Sequence, residues 1–345
     1  MPPLETLTAS QILAIAPTEP ECLFSADPAS LRHEFAVLAK YWHPDRNGAS
    51  EAAKVLDHLV VLHDAAKRKL AAGEWSTPDA IRIDAADGKS FVLKTKRRHE
   101  FELGEMAIAV SRVAFLVEKE HTRLFETGLR RIKDIRYPDG RIRDDLARFM
   151  PDVRGVYETA SHHVAIIAKT EDVVLLRDLV AHIGGHLPPK HAAWVVSSLL
   201  NLACFFEVTG LTHNAISPQT IFVTAKHHAV HLLGGWWYAA PAGSRIELLP
   251  EATYAVMPRS MATSKRADIR LDLESIRAVG RTILGDAAGL SPVGNDLPKP
   301  MANFLRLPSS GSAIEDYRAW GQALKDSFGP RRFVELPVSS RDVYR

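Results

Sequence analysis

Imidazoles, carboxylates and hydroxyls that could do chemistry fall in a few places along this chain. His43, Pro44 and Asp45 are consecutive and lead into the loop Arg46-Asn47-Gly48. His213, Ser217 and Asp272 have the residue types of a hydrolytic triad. His162-His163 and His227-His228 have the types of a metal site. Adjacent side chains on a strand point to opposite faces, however, so each pair is a poor chelator. Cys22 and Cys204 show no metal-ligand spacing. No metal or cofactor is expected. Trp236, Trp237 and Tyr238 concentrate aromatic surface in three positions. They read as core filling; the functional option is an exposed patch that anchors a partner.

The elements that must position the first group are two helices. Asp27 reads as a helix cap with Pro28 in the first turn. Leu31, Phe35, Leu38 and Trp42 fall on one stripe at helical spacing, with His33 and Lys40 opposite and Arg32 at that face's edge. His43-Pro44 ends this helix, because a residue before proline is pushed out of the helical region. Asn47-Gly48 signals a turn. Val55, Leu59, Leu62, Ala66 and Leu70 form the stripe of a second helix, with Lys67, Arg68 and Lys69 in its last turn and Gly73 as its stop. Ser10 to Ala16 reads as a short helix propping the pair.

This arrangement resembles the helical hairpin of a J domain, the module that switches on a DnaK-type (heat shock 70 kDa) chaperone. The resemblance implies that His43, Pro44 and Asp45, flanked by Lys40, His33 and Arg32, engage the chaperone's ATPase domain and its linker. ATP would be hydrolysed there and not by this chain. The basic face is thinner than the family usually carries, which implies weaker docking or docking tuned to one chaperone.

The rest of the chain reads as a different module. Ile81 to Ile83 and Phe91 to Leu93 read as strands around an Asp87-Gly88 turn. A long helical region is expected over Gly104 to Lys133, then a strand pair at Arg154 to Thr159 and His163 to Ala168. The apolar stretch Ala192 to Phe206 reads as a buried helix too short to span a bilayer. The segment from Gly210 to Val223 contains His213-Asn-Ala-Ile-Ser-Pro-Gln-Thr220, and a strand at Val230 to Leu233 precedes Gly234-Gly235-Trp236. This order resembles the catalytic loop and magnesium-binding turn of a protein kinase over roughly residues 80 to 328. By that resemblance Asp272 braces the loop's backbone, His213 is structural, and Lys94 stands where the ATP-contacting lysine belongs, with Glu105 or Glu118 as its partner. Yet Ala215 stands for the carboxylate that orients the acceptor hydroxyl, Thr220 for the amide that holds magnesium, and Gly234 for the main magnesium carboxylate. Asn214 and Ser217 replace the loop's arginine and lysine, and no glycine-rich phosphate loop precedes Lys94. Phosphoryl transfer depends on those charges, and magnesium wants anionic oxygens. The resemblance therefore implies an inactive pseudokinase.

The expected fold is multidomain: an N-terminal all-α J-domain hairpin (1–73), a linker (74–80), an α+β protein-kinase-like two-lobe domain (81–328) and a flexible tail (329–345). Pro292 to Pro300 reads as a loop, and Ile314 to Phe328 as a final helix using Tyr317, Trp320, Leu324 and Phe328. With 345 residues, 46% of them hydrophobic, the chain is long enough for two packed modules. A net charge of +2 implies no general attraction to polyanions, and neither a nucleic acid nor a membrane is expected as partner. Two free thiols and no signal core suggest a cytoplasmic protein. The expected function is that of a non-enzymatic co-chaperone adaptor, whose second module binds a client or partner. Its rivals are a nucleotide-binding or atypical phosphotransferase enzyme, with Asp268, Asp272 or Glu274 as stand-ins, and a regulatory protein that sequesters the chaperone.

Overall fold

A computed structural model describes residues 7–72, 75, 80–290, 297–330 and 332–344. Helices Ala9–Leu13 (α1), Pro28–Tyr41 (α2) and Ala52–Ala72 (α3) form the amino-terminal part. Asp27 caps α2 by accepting the Ser30 N–H at 2.7 Å, and Pro28 sits where a missing N–H costs nothing. Leu31, Leu38 and Trp42 of the first stripe meet Val55, Leu59, Leu62 and Ala66 of the second in one core, closed by Ile12 and Phe24. Two buried carboxylates staple this core. Glu34 accepts the backbone N–H of Ser25 at 2.8 Å together with its hydroxyl, and Glu21 pairs with Lys69 of α3. Gly73, the expected helix stop, lies outside the described residues, as does most of the expected linker; Ala80 already opens a strand.

Strands Ala80–Asp84 (β1), Ser90–Phe101 (β2), Gly104–Ala109 (β3) and Arg112–Glu118 (β4) run as a meander. Helices Thr122–Lys133 (α4) and Gly140–Leu146 (α5) follow, then strands Asp152–Glu158 (β5) and His162–Ala168 (β6). These strands form one antiparallel sheet of order β1-β2-β3-β4-β6-β5. The expected helix over 104–133 is thus two strands followed by an α-helix that occupies only Thr122–Lys133. The reason is burial on both faces: Met106 and Ile108 point into one core while Ala107 and Ala109 point into another. Such strands lack the polar alternation that marks a half-exposed sheet.

Next come Val174–Leu175 (β7), Leu176–His182 (α6), Pro189–Thr209 (α7), Leu211–Thr212 (β8), Phe222–Thr224 (β9), Ala229–His231 (β10) and Ala240–Pro241 (β11). Glu251–Tyr254 (α8), Arg259–Ser264 (α9), Ile269–Ile283 (α10), Lys299–Arg306 (α11), Ala313–Phe328 (α12) and Ser340–Val343 (α13) complete the chain. At 21 residues α7 is long enough to cross a bilayer, contrary to the reading from its apolar run alone, but 61% of its most apolar window is buried inside the fold. It packs against α10 and α12 as a core helix.

The expectation of a protein-kinase-like body in two lobes is overturned. The sheet curls. A bulge at Thr95/Arg97 lets β1 and the first half of β2 turn over its second face. There Ile81, Ile83 and Leu93 meet Ala107, Ala114, Val164 and Ile166 in a small core of their own. The turn after β1 reaches β5, where the Ala86 N–H donates to the Glu158 carbonyl. On its first face the sheet does not form a separate lobe. Met106, Ile108, Phe115 and Ile167 belong to one continuous apolar core with Leu199, Phe206, Leu273 and Trp320 of the helices.

Two further expectations change. Residues 299 and 300, read as loop, begin α11. The segment after residue 329 is no loose tail in its described part: Leu336, Val343 and Tyr344 are buried, and the Tyr344 hydroxyl accepts the Leu175 N–H at 2.8 Å. The buried face of α12 is Ala313, Asp316, Trp320 and Ala323, whereas Tyr317 is exposed. Asp316 turns inward because Arg277 meets it at 2.5 Å, with both side chains 3% exposed or less. Removing one partner of a buried pair leaves an uncompensated charge. Asp316→Ala is therefore expected to cost about 3–5 kcal/mol, read as a lower urea midpoint at unchanged slope.

Candidate functional site

The amino-terminal candidates come together on one exposed tip. α2 stops at Tyr41, and the chain turns back through 43–47, where the His43 carbonyl accepts the N–H groups of Arg46 and Asn47 at 2.9 and 2.8 Å. The Asn47 amide donates to the Tyr41 carbonyl at 3.2 Å, and its oxygen accepts the Ala49 N–H at 3.1 Å, so one side chain ties both ends of the turn. His43 Nδ1 accepts the Asp45 N–H at 3.2 Å and stands 3.6 Å from the Asp45 carboxylate. That carboxylate is 86% exposed. His43, Pro44, Asp45 and Arg46 all face water, as do Arg32, His33 and Lys40 along α2. The tip is thus an exposed polar turn, tied at both ends, beside a helix face that carries Arg32, His33 and Lys40.

The carboxy-terminal candidates are inverted in character: they are buried and satisfy one another. Asp272 lies in the first turn of α10 with no exposure. Its two oxygens accept the N–H groups of His213 and Asn214, each at 2.7 Å. Burial pushes its pKa up to about 7, against the lowering effect of those two bonds. The His213 ring donates from Nε2 to the Gly234 carbonyl at 3.0 Å and stands edge-on to Trp236. Its burial pushes the pKa down to about 4, so the ring is neutral at neutral pH. Asn214 holds a left-handed φ of 60° and donates from its amide to the Tyr238 carbonyl at 3.0 Å. Gly235 has a φ of 79°, and a side chain there would collide with His213 and Ala215.

The structure thus brings His213 and Asp272 together through the loop's backbone, and excludes the triad. Asp272 faces backbone N–H groups instead of the imidazole, and the Ser217 hydroxyl stands 3.2 Å from that of Thr220. Thr220 is spent on its own loop, donating to the Ala215 carbonyl while accepting the Ser217 N–H at 3.1 Å. Ala215 is buried, and Gly234 contributes only its backbone. Lys94 is not near this loop. It is exposed on β2 and pairs with Glu19 of the amino-terminal part, while Glu105 pairs with Arg98. The strand carrying Lys94 runs on to Phe101, so its register could not be read from a three-residue apolar run.

Trp236, Trp237 and Tyr238 are buried, which removes the exposed-patch option. Trp237 stacks on Phe125 of α4 at 5.3 Å, and Gly128 on the same helix lets the two approach, since a methyl there would lie 2.5 Å from the indole. The doubled histidines separate as expected of strand and turn neighbours. His163 stacks on Phe125 and reaches the Thr122 hydroxyl at 2.8 Å, while His162 meets the Ser161 hydroxyl at 2.8 Å. His228 stacks on Trp194 and on Phe333.

A cavity of about 220 Å³ remains between the loop and the sheet, with Thr220 and Trp237 in its wall and Glu100, Glu102, Arg177 and Glu251 around it. Sequence reasoning missed these four charged residues, which come from three separate places in the chain and meet only in the fold. A scan against protein-family models finds no match to this chain, and a search of the curated proteins finds none either.

The buried His213 binds fewer protons folded than unfolded, so its contribution to stability is lost as pH falls from about 6.5 through about 4. Asp272 acts with the opposite sign, and its contribution is lost as pH rises from about 4 through about 7. Because His213→Gln removes only the first, the stability gap between parent and variant should narrow by about 2 kcal/mol from pH 7 to pH 5, measured by urea unfolding at each pH.

Proposed function

We propose that this chain is a co-chaperone adaptor. Its amino-terminal hairpin acts as a J domain that stimulates ATP hydrolysis by a DnaK-type chaperone, and the body beyond Ala80 binds a client or partner and so decides where that chaperone acts. The observation that carries the reading is the tip: His43, Pro44 and Asp45 stand exposed on a tied turn between α2 and α3, which share one apolar core. Arg32, His33 and Lys40 line the adjoining helix face and offer cations to an acidic partner surface.

The body is proposed to perform no phosphoryl transfer. Ala215, Thr220 and Gly234 supply no carboxylate at the loop, and Asp272 is consumed by two backbone N–H groups. Asp268 caps α10 and pairs with Arg270, so it does not stand in. Three carboxylates around the cavity would repel a polyphosphate. Cytoplasmic residence accords with the free thiols of Cys22 and Cys204.

Single-turnover ATP hydrolysis by a DnaK-type chaperone tests the reading. The parent should accelerate it and His43→Gln should not, while the variant's stability stays within about 0.5 kcal/mol because the side chain is exposed. Equal rates with parent and variant would remove the proposal.

A further inference from the structure

Between β11 and α10 the chain makes an excursion through α8 and α9, and a short antiparallel ribbon closes its base. The N–H groups of Gly243, Ala267 and Ile246 donate to the carbonyls of Ala267, Ser244 and Lys265 at 2.7, 2.8 and 2.9 Å. The last two bonds flank Arg245 and Arg266, which stand directly opposite each other. A pair flanked in this way is the close kind, with Cα atoms about 4.5 Å apart and both side chains on one face. Like charges so placed repel each other. The ribbon carries a third cation, Lys265, whose φ of 52° lies in the left-handed region that a non-glycine residue enters only at a cost. Among the described residues nothing offsets this charge. The nearest acids in sequence are spent, Glu247 on Arg123 and Asp268 on Arg270, each at 2.7 Å. Arg245 and Lys265 have no ion pair, and the Arg266 guanidinium makes one bond, to the Gly243 carbonyl at 2.7 Å. That bond holds the guanidinium against the ribbon and leaves its other N–H groups unused.

We propose that this ribbon binds the phosphate group of a phosphorylated segment of a partner protein. Opposed like charges and a strained backbone at one exposed place are costs that the fold itself does not recover; an oxyanion between the two arginines recovers the first. A phosphate monoester carries a charge of about −1.5 to −2 at neutral pH and three terminal oxygens. It can therefore engage both guanidinium forks at once, with Lys265 beside them, whereas a carboxylate fills only one fork. Arg245, Lys265 and Arg266 are all exposed, so a free anion there stays largely in water. A phosphate borne on a chain adds contacts on either side of itself. Leu248 and Tyr254 of the same excursion, 41% and 65% exposed, offer apolar surface for those contacts. The inference rests on the part of the proposed function that gives the body a partner. Its test uses no chaperone, so its failure leaves the ATPase result standing, and the reverse holds too.

Calorimetric titration of the full chain tests it. The probes are a short peptide with a central phosphoserine among alanines and leucines, the same peptide with serine or glutamate at that position, and inorganic phosphate. The phosphopeptide should bind saturably at one site, and the other probes at least about tenfold more weakly, as expected for losing a charged hydrogen bond. Arg245→Gln and Arg266→Gln, both at exposed side chains, should each weaken the phosphopeptide by a similar factor. Arg245→Lys keeps the charge and removes the fork, so it should weaken binding as well. Arg154→Gln, at an exposed arginine of β5 that pairs with Asp152, should leave it unchanged. Absence of saturable phosphopeptide binding overturns the proposal, and so does equal affinity for the serine or glutamate peptide. Inorganic phosphate that binds as tightly as the peptide means an adventitious ion only and overturns it too. The same holds for affinity unchanged in both glutamine variants of the ribbon, or lowered equally by Arg154→Gln.

Discussion

One carboxylate organises the carboxy-terminal body. Asp272 sits with no exposure and spends both oxygens on consecutive backbone N–H groups. Leaving either donor unmet in so dry a place would cost about 1–3 kcal/mol. The two bonds also hold Asn214 in the left-handed region, which a non-glycine residue enters at a cost of about 1–2 kcal/mol. From there the constraint propagates. Asn214 grips the Tyr238 carbonyl, and His213 grips that of Gly234. The turn between them, Gly235 to Tyr238, is pinned at both ends. Trp237 can then stack on Phe125 and hold α4 against the sheet. A side chain of α10 thereby fixes a helix on the far side of the loop.

In this body the polar atoms of the loop point at one another. Thr220 closes its own turn, Ala215 offers no carboxylate, and the imidazole is neutral and enclosed. The polar groups that are accessible and unspent stand elsewhere: on the tip at 43–45, and around the cavity beside Trp237. An exposed imidazole and carboxylate stand on a tied turn, and charges of both signs line the cavity.

How much of this was legible depended on where the polar residues went. The hairpin was readable because its polarity and its burial agree: apolar stripes inside, a cap at Asp27, a proline after the last turn. Four strands of the sheet were read, but β3 and β4 were not, because they are buried on both faces and show no alternation. In α12 the stripe was read at Trp320, Leu324 and Phe328, which do pack on the core, but Tyr317 was taken in place of Asp316, which counts as polar in a sequence and lies inside against Arg277. Glu34 and Glu21 escaped notice for the same reason: each is a charge stapling a core whose partner lies elsewhere in the chain. His213 and Asp272 were singled out in the sequence, and they meet because Asp272 accepts from the backbone of the loop that carries His213. The cavity's charges belong to no motif, and no spacing announces them.

The contact between the two parts bears on how they would work together. Lys94 and Glu19 form an ion pair between them, and both side chains are more than a third exposed. Such a pair contributes about 0–1 kcal/mol and is screened by salt. Beside it lies a cavity of about 440 Å³, lined by residues of the amino-terminal part and of β1 and β2. Packing energy comes from filled contact, so this junction holds less of it than either core, each of which is closed around its own apolar side chains. The stability of the hairpin and of the body is thus internal to each, with little stored where they meet.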